Sequence, residues 1–355
     1  MRHAKDEGYQ FIRFVLTWTI VIHHVLTTAG DLGIRPPFLL NLVWFRLSGR
    51  FGQLAVSMFF MLSGALLWRR HPDREDVLSF WKHRFLKLLI PIWVCTVPFL
   101  LYELVRDPGL LGSEYFRSAF IYNLLGMEMV PLLLWDVYPY HLCGEWFTTV
   151  ILALYLIYPL LRRGFAEKRT RWVFSGCVFA ACVLNLKIGF LTVNGWFSFS
   201  RGLFFFLAGM FFEEYRDRLD NMNLMAVFAG CFFVIFVFFG RSFLGSTRLP
   251  NVISALCVFP ILYRLPGMMK KIFAAPFVSG AVDRTCDVSF LIYLSHHHLI
   301  ELLMPSLLPK EPGTVLFYLF TAGICAVTFA YSSLMAFPVN AILKRRRSSG
   351  RKADA

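Results

Sequence analysis

Two ionisable side chains, Arg13 and His24, lie in the first long apolar run of the chain, QFIRFVLTWTIVIHHVL. On an α-helix, their separation returns them to within about 20° of one face and places them about 16 Å apart along the axis. Inside a membrane, a neutral imidazole can act as a general base, and a guanidinium near the surface can bind an anionic group. The alternative is a histidine hydrogen-bonded in helix packing and an arginine that reaches to the interface. Because ionisable groups within a bilayer are costly and usually face a functional cavity, the pair predicts a site.

Further ionisable residues lie beside or inside other apolar runs. Lys82, Arg84 and Lys87 form a basic segment in FWKHRFLKLLIPIW, which suits a position at the inner membrane face near anionic lipid. Arg201 falls inside an apolar run, where a lone arginine needs a partner and can face the same cavity. His296 is followed by two more histidines. Three consecutive helical residues point in different directions, so at most two of them face one cavity.

The apolar runs that carry these residues dominate the composition. Of the 355 residues, 57% are hydrophobic, 17% aromatic and only 16% charged, whereas a soluble domain has about 25% charged residues. This composition excludes a disordered chain. The net charge of +14 is gathered in short basic blocks between apolar runs, which indicates a membrane surface and no nucleic-acid partner. The sequence therefore predicts an all-α, polytopic integral membrane protein embedded in a lipid bilayer.

The number and orientation of the spans follow from run length and basic charge. A bilayer core about 30 Å thick requires about 20 mostly apolar helical residues. Ten segments meet or approach this length: 10–29, 53–68, 85–104, 146–162, 171–191, 196–212, 224–240, 250–264, 286–304 and 314–343. An eleventh, 118–135, is interrupted by polar residues, Gly126 and Pro131, and counting it as a crossing would put two strong basic clusters outside. We therefore predict about ten transmembrane helices in one bundle, with both termini cytoplasmic.

The same reading divides the chain into a single transmembrane domain, 1–343, and a basic cytoplasmic tail, 344–355. Within the domain, 105–145 is predicted to be a long outer loop with a re-entrant or surface segment, because non-helical backbone at membrane depth must be covered by protein or line a cavity. The first run has the wrong composition for a cleavable signal and is expected to remain as the first span. The eight cysteines form no C-x-x-C pair, so we expect no disulfide framework and no metal site.

Arg13, ten intervening residues and His24 together resemble the signature of the membrane acyltransferase-3 family, the O-acyltransferases of cell-surface glycans. Five later blocks resemble the family in the expected order. Their matching residues are Gly52, Val56, Phe59, Phe60, Leu62, Ser63 and Gly64; Phe80, Arg84, Lys87 and Pro91; Trp146, Tyr155 and Pro159; Phe205, Phe206 and Gly209; and Ser289, Phe290, Ile292, Tyr293, Leu294 and His296.

The resemblance implies a donor, an acceptor and a set of roles. The donor is cytoplasmic acetyl-CoA, used as a substrate with no tightly bound cofactor, and the acceptor is a hydroxyl of a surface glycan or a polyprenyl-linked sugar. His24 and Arg13 are the implied catalytic residues, in a bacterial inner or plasma membrane. The basic segment is implied to bind the coenzyme A phosphates, for which guanidinium forks and ammonium charges are suited. The implied substrate- or cofactor-binding residues are Arg84, Lys87, Lys82, Arg201, Trp146, Tyr155, Ser63, Tyr293 and His296.

One position departs from the family pattern. Many members carry a glutamate five residues after the tryptophan, where this chain has Ile151. The segment resembles a subgroup with an apolar pattern here, which includes acetyltransferases acting on bacterial surface polysaccharide precursors. Glu145 is an alternative source of a carboxylate or a solvated loop residue. Some relatives carry a fused esterase-like domain, so we expect any final transfer of that kind to need a separate extracytoplasmic transferase.

Two other classes of function compete with an enzyme. A transporter of a small anion or a lipid-linked sugar would also place Arg13, Arg201 and histidines along its route. The sequence shows no internal repeat of the kind that many transporters have. A purely structural membrane subunit is the third class, and it leaves unexplained why the deep polar residues coincide with the motif positions.

Overall fold

The computed structural model describes residues 6–37, 51–70, 76–131, 146–188, 192–193, 197–219, 221–238 and 249–353, and within them the chain is almost entirely helical. The helices are α1 (Glu7–Asp31), α2 (Phe51–Arg70), α3 (Val77–Arg106), α4 (Glu114–Leu124), α5 (Trp146–Ala166), α6 (Lys168–Ile188), α7 (Phe199–Glu214), α8 (Arg216–Leu219), α9 (Met222–Phe238), α10 (Leu249–Met268), α11 (Lys270–Phe273), α12 (Pro276–Leu307) and α13 (Thr314–Ala353). A 3-10 turn covers Leu110–Gly112, and β1 (Thr192–Val193) pairs antiparallel with β2 (Phe197–Ser198). Apart from this short ladder, the predicted all-α class is confirmed.

Six helices of the described ranges are long and apolar enough to cross a membrane. Their spans are Glu7–Asp31, Phe51–Arg70, Val77–Arg106, Trp146–Ala166, Asn251–Met268 and Thr314–Arg345, with Met222–Phe236 as a shorter apolar helix. Each of the ten predicted spans overlaps a helix. The helices therefore support a multi-pass membrane protein, while the number ten and the side of the termini stay predictions.

The described part of the interrupted apolar stretch 118–135 contains the end of the short helix α4, a turn, and two further helical residues at 130–131. Helix α4 has 11 residues and is about 16 Å long, roughly half the thickness of a bilayer core. It ends because Gly126 adopts a φ of 66°, a left-handed conformation that favours glycine after a helix C-terminus. The Met129 N–H then donates to Thr149 Oγ1 at 3.4 Å, which holds the segment against α5. Residues 132–145 of the predicted outer loop lie outside the described residues.

Two helices extend beyond the apolar runs from which they were predicted. Helix α12 begins at Pro276, whereas the apolar run begins at residue 286; proline at the first helical position needs no backbone N–H partner. Helix α13 continues through the basic residues to Ala353, so the predicted domain boundary at 343 falls inside it. Arginine and lysine are good helix formers, so the basic residues that follow the apolar run allow the helix to continue.

The chain divides into two compact units. Unit 1 comprises Met1–His71, Leu203–Ser289 and Leu299–Ala326, and unit 2 comprises Pro72–Gly202, Phe290–His298 and Val327–Ala355.

Glycines allow two helices of unit 1 to approach each other closely. A methyl group at Gly64 of α2 would overlap the carbonyl oxygen of Phe206 in α7, and a methyl group at Gly209 of α7 would overlap that of Met61 in α2. The two glycines thus face each other's helix backbone reciprocally. Small residues at a crossing are the usual device for close packing of membrane helices. Phe206 itself is fully buried.

In unit 2, apolar and aromatic contacts join α3 to α5. The rings of Phe80 and Tyr158 lie 5.3 Å apart, and Leu154 on α5 is fully buried. The C-terminal end of α5 is satisfied by Arg171 of α6, whose Nε donates to the carbonyl oxygen of Phe165 at 2.8 Å. A cation at the last carbonyls also complements the helix dipole.

Candidate active site

Helix α1 carries Arg13 and His24 without interruption. It begins after Asp6, whose carboxylate accepts a hydrogen bond from the backbone N–H of Tyr9 at 3.3 Å. The continuous helix places Arg13 and His24 about 16 Å apart along its axis, and both residues are half-buried. Thr17 Oγ1 donates to the carbonyl oxygen of Arg13 at 2.7 Å, so this deep hydroxyl is satisfied within the helix. The guanidinium and the imidazole are therefore attached to one rigid element at a fixed separation.

The rings of the two neighbouring histidines, His23 and His24, lie against each other within unit 1. Their ring centroids lie 5.0 Å apart with the planes at 75°. On its other side, the ring of His23 lies 5.1 Å from that of Phe51, and a side chain at Gly52 would overlap the His23 imidazole. The absence of a Cβ at Gly52 makes room for this ring against α2. His23 therefore packs between α1 and α2, beside His24.

Charged and phenolic side chains surround the start of α1. We name this group the terminal cluster; its members are Asp6, Tyr9, Arg69, Glu213, Arg216 and Tyr263. Asp6 forms an ion pair with Arg69 and accepts a hydrogen bond from the Tyr263 hydroxyl at 3.1 Å. The side chain of Asp6 therefore joins the beginning of α1 to the ends of α2 and α10.

Glu213 is the second carboxylate of the terminal cluster. It accepts a hydrogen bond from the Tyr9 hydroxyl, and its Oε1 lies 3.3 Å from Arg216 Nη1. Burial raises the pKa of the Glu213 carboxyl, although Tyr9, Arg216 and Arg69 oppose this shift. Burial alone would lower the pKa of Arg216, but Glu213 turns the net shift upward. The negative charge of Glu213 and the positive charge of Arg216 therefore stabilise each other.

Sequence reasoning missed the terminal cluster because its members are far apart along the chain. Asp6 and Tyr263, for example, are separated by 257 positions. The sequence does show that charged residues follow several of the apolar runs, as Arg69 and Glu213 do. This pattern could have indicated a cluster of charges at the helix ends. Which of these ends meet depends on helix packing alone.

Replacing Asp6 by alanine is expected to lower the free energy of unfolding by about 1–2 kcal/mol. The substitution removes the cap of α1 together with the ion pair to Arg69 and the hydrogen bond from Tyr263. Thermal unfolding of the purified protein in detergent measures the effect.

The matched control is Asp76→Ala, because Asp76 caps α3 by accepting from the Ser79 backbone N–H at 2.9 Å. The hydrogen bonds from Ser79 lower the pKa of Asp76 below its ordinary value of 3.8. Its contribution to stability is therefore present above that value and is lost as the pH falls through the lowered pKa. At neutral pH we expect a smaller shift for Asp76→Ala than for Asp6→Ala, and equal shifts would contradict a contribution from the ion pair.

The structure brings together two of the predicted residues of unit 2, Arg84 and Tyr155. The guanidinium carbon of Arg84 lies 5.9 Å from the ring centroid of Tyr155 and 5.8 Å from that of Phe80. These distances suit cation–π interactions that orient a half-buried arginine. Lys82 and Lys87 are exposed, so this helix end presents a positively charged surface.

Tyr293 and His296 are also close together, one turn apart on α12. His296 is fully buried, and its Nδ1 lies 2.7 Å from the carbonyl oxygen of Tyr293 and 3.1 Å from that of Ile292. With the proton on Nδ1, the ring donates to this pair of oxygens. The ring of Tyr293 lies 5.3 Å from that of Phe147, next to the half-buried Trp146 that begins α5.

The remaining predicted positions lie on α2, α5 and α7. Ser63 is half-buried in α2 beside Gly64, and Arg201 near the start of α7 is 6% exposed. Ile151 is 2% exposed in the apolar side of α5, and Glu145 lies outside the described residues. Unit 1 contains Arg13, His24 and Ser63, and unit 2 contains Lys82, Arg84, Lys87, Trp146, Tyr155, Arg201, Tyr293 and His296.

The apolar helices and the deep ionisable residues define the chain as a multi-pass membrane protein. Its sequence matches the family described as "Acyltransferase domain" over residues 6–335. The chain therefore belongs to the membrane acyltransferase-3 family, which confirms the resemblance drawn from the motifs.

Acyltransferase MdmB of Streptomyces mycarofaciens is 29% identical over 144 residues, which cover 37% of this chain and 35% of that protein. The match thus spans about a third of the relative's length. No solved structure matches the chain.

Proposed function

We propose that this protein is a membrane acyltransferase that moves an acetyl group from cytoplasmic acetyl-CoA to a hydroxyl of a cell-surface carbohydrate or its lipid-linked precursor. The observation that carries the proposal is the placement of Arg13 and His24, both half-buried, on one unbroken helix. Their separation of about 16 Å suits a donor whose phosphates and thioester are joined by the long pantetheine arm. A guanidinium binds phosphate well, and an imidazole is the commonest general base.

In the direct route, the acceptor hydroxyl gives its proton to the neutral imidazole of His24. The hydroxyl oxygen bonds to the thioester carbonyl carbon, and the carbon–sulfur bond breaks. The imidazolium then returns the proton to the leaving thiolate, so the products are the acetyl ester and free coenzyme A. His24 is the base and then the acid, and Arg13 anchors the donor.

In the relay route, His24 is the nucleophile. A ring nitrogen bonds to the thioester carbon, coenzyme A leaves as the thiol with the proton from the ring, and the acetyl group stays on the imidazole. The acceptor oxygen then bonds to the acetyl carbon, the bond from that carbon to the ring nitrogen breaks, and the hydroxyl proton passes to the ring, which restores neutral His24. This route releases one equivalent of coenzyme A before any acceptor is added, whereas the direct route does not.

The setting proposed for this chemistry is a bundle of about ten spans with both termini in the cytoplasm of a bacterial cell. The exposed Lys82 and Lys87, with Arg84 held by aromatic rings, form a basic surface near the start of α3 that we expect to lie at the cytoplasmic face and to attract the coenzyme A phosphates. Acetyl-CoA acts as a substrate, and no tightly bound cofactor is needed for either route. A separate extracytoplasmic transferase is a partner for any later transfer.

The proposal is tested with purified full-length protein in detergent, acetyl-CoA labelled in the acetyl group, and crude cell-envelope glycan. We expect labelled glycan together with free coenzyme A, and no closed vesicle should be needed. A folded protein that neither binds coenzyme A nor labels glycan would contradict the proposal and favour a transporter.

Replacing Arg13 by alanine is expected to weaken the binding of acetyl-CoA about 10- to 100-fold, the usual effect of losing a hydrogen bond to a charged group. Binding is measured by titration of the inactive His24→Ala protein and of the His24→Ala/Arg13→Ala protein, so that turnover does not interfere. The exposed Arg106 at the end of α3 provides the control, Arg106→Ala, which should bind acetyl-CoA as the parent does. Unchanged affinity in the Arg13 variant would exclude its role as the anchor.

A further inference from the structure

The connection between two long helices of unit 1 exposes apolar and basic side chains together. It comprises residues 265–282, which we name the junction segment, and contains the end of α10, the four-residue helix α11 and the first turns of α12. Lys270 and Lys271 are exposed, and the segment contains no aspartate or glutamate. None of its residues was among the candidates drawn from the sequence motifs. Its exposed large apolar side chains are Met268, Met269, Ile272 and Phe277.

A contact to α1 indicates where the junction segment lies relative to the apolar runs. Gln10 Nε2 donates to Asp283 Oδ1 at 3.2 Å. Phe277 precedes Asp283 by six helical residues, so it lies about 9 Å further toward the start of α12. The predicted apolar runs of α1 and α12 begin only at residues 10 and 286. Because the headgroup layer is about 5–8 Å thick on each side of the hydrocarbon core, this segment is at the level of the headgroups.

One side of the junction segment is fixed on α1. The ring of Phe273 lies 4.8 Å from that of Phe11, with the planes at 76°, and Phe273 is half-buried. Its neighbours are accessible, since Ile272 is 51% exposed and Phe277 is 87% exposed. Exposed apolar side chains next to lysines are typical of a segment that lies in a membrane interface, with its apolar side chains among the acyl chains.

We propose that the junction segment binds an anionic phospholipid at the membrane face where α1 begins. Lys270 and Lys271 attract the headgroup phosphate, and Ile272 and Phe277 contact the upper parts of the acyl chains. Each basic residue near an anionic surface strengthens binding about fivefold, so the lysine pair contributes about 25-fold. In the predicted topology this face is cytoplasmic, and anionic lipids are enriched there. The inference is independent of acyl transfer.

The apolar side chains favour a lipid over a soluble anion. A free phosphate would be held by the lysines alone and would leave Phe277 in water, whereas a phospholipid offers a phosphate and acyl chains in one molecule. A bound lipid also supports α1, because Phe273 and Asp283 both contact this helix. We therefore expect anionic lipid to raise the unfolding temperature of the protein.

The test uses purified full-length protein in nanodiscs of phosphatidylcholine that contain a trace of photoreactive phosphatidylglycerol, and the labelled peptides are mapped by mass spectrometry. We expect label on residues 265–282, displaced by added phosphatidylglycerol and weakened by salt, which screens exposed charges. Lys270→Gln/Lys271→Gln should lower this labelling about 25-fold, and Lys270→Arg/Lys271→Arg should keep it. Phe277→Ala should lower it about 10-fold, because a large apolar side chain is lost from the interface.

The matched control is Lys168→Gln/Arg169→Gln, which removes two exposed charges at the start of α6 and should leave the labelling of residues 265–282 at the wild-type level. Since Lys270 and Lys271 are exposed, their glutamine variant should unfold at the wild-type temperature in phosphatidylcholine alone. Labelling of this variant within threefold of wild type would overturn the inference, as would an equal loss in the arginine variant. Displacement by inorganic phosphate as effective as that by phosphatidylglycerol would overturn it as well, because the site would then bind a soluble anion.

Discussion

Replacing His24 by alanine is expected to lower the rate of acetyl transfer about 10²- to 10⁴-fold, the range that a general base contributes. In the relay route the loss is larger still, because the residue that carries the acetyl group is absent. The helix should still form, since alanine is the best helix former and His24 is only half-buried in α1. The initial rate of label transfer to glycan measures the effect.

The neighbouring residue gives a control of the same type at the same depth. His23 packs against Phe51 and above Gly52, so His23→Gln should alter packing and leave the chemistry intact. We expect a loss of less than 10-fold for this variant, small beside the loss at a catalytic base. If a folded His24→Ala protein retained more than a tenth of the wild-type rate, the role assigned to His24 would be wrong.

Replacing Gly209 by alanine is expected to have the largest effect on folding, a loss of about 3 kcal/mol or more. The added methyl group would overlap the backbone carbonyl of Met61. A helix backbone cannot relieve this overlap by changing rotamer, as a side chain could. The two helices α2 and α7 would have to separate, which would also disturb the reciprocal contact at Gly64. Thermal unfolding and the folded yield in detergent measure the effect.

Gly230→Ala is the matched control in unit 1. A methyl group at Gly230 in α9 meets no atom within 4 Å, and alanine in place of glycine stabilises an exposed helix position by about 0.5–1 kcal/mol. We therefore expect its unfolding temperature to be equal to or higher than that of the wild type. Equal unfolding temperatures for Gly209→Ala and Gly230→Ala would contradict the close crossing of α2 and α7.

The positions of the helices could be predicted from the sequence because long apolar runs require them. The run at 10–29 lies within α1 (Glu7–Asp31), and the run at 53–68 lies within α2 (Phe51–Arg70). The helix ends were less predictable, as at α12, because charged residues continue a helix beyond the apolar part at little cost. A run of apolar residues predicts which part of a helix lies in the membrane, but it does not predict the residue at which the helix ends.

The candidate site could be predicted in part. The spacing of Arg13 and His24 depends only on helix geometry, so it could be read from one segment. The contacts of the terminal cluster depend on which helices pack together. Asp6 and Tyr263 are 257 positions apart, and neither segment alone indicates that their side chains meet.

The most direct test of the central claim is the release of free coenzyme A from acetyl-CoA by the purified protein in the presence of envelope glycan, with His24→Ala and Arg13→Ala measured beside it. We expect release by the wild type, near-complete loss in His24→Ala, and a raised acetyl-CoA requirement in Arg13→Ala. No release and no coenzyme A binding by a folded wild-type protein would contradict the central claim.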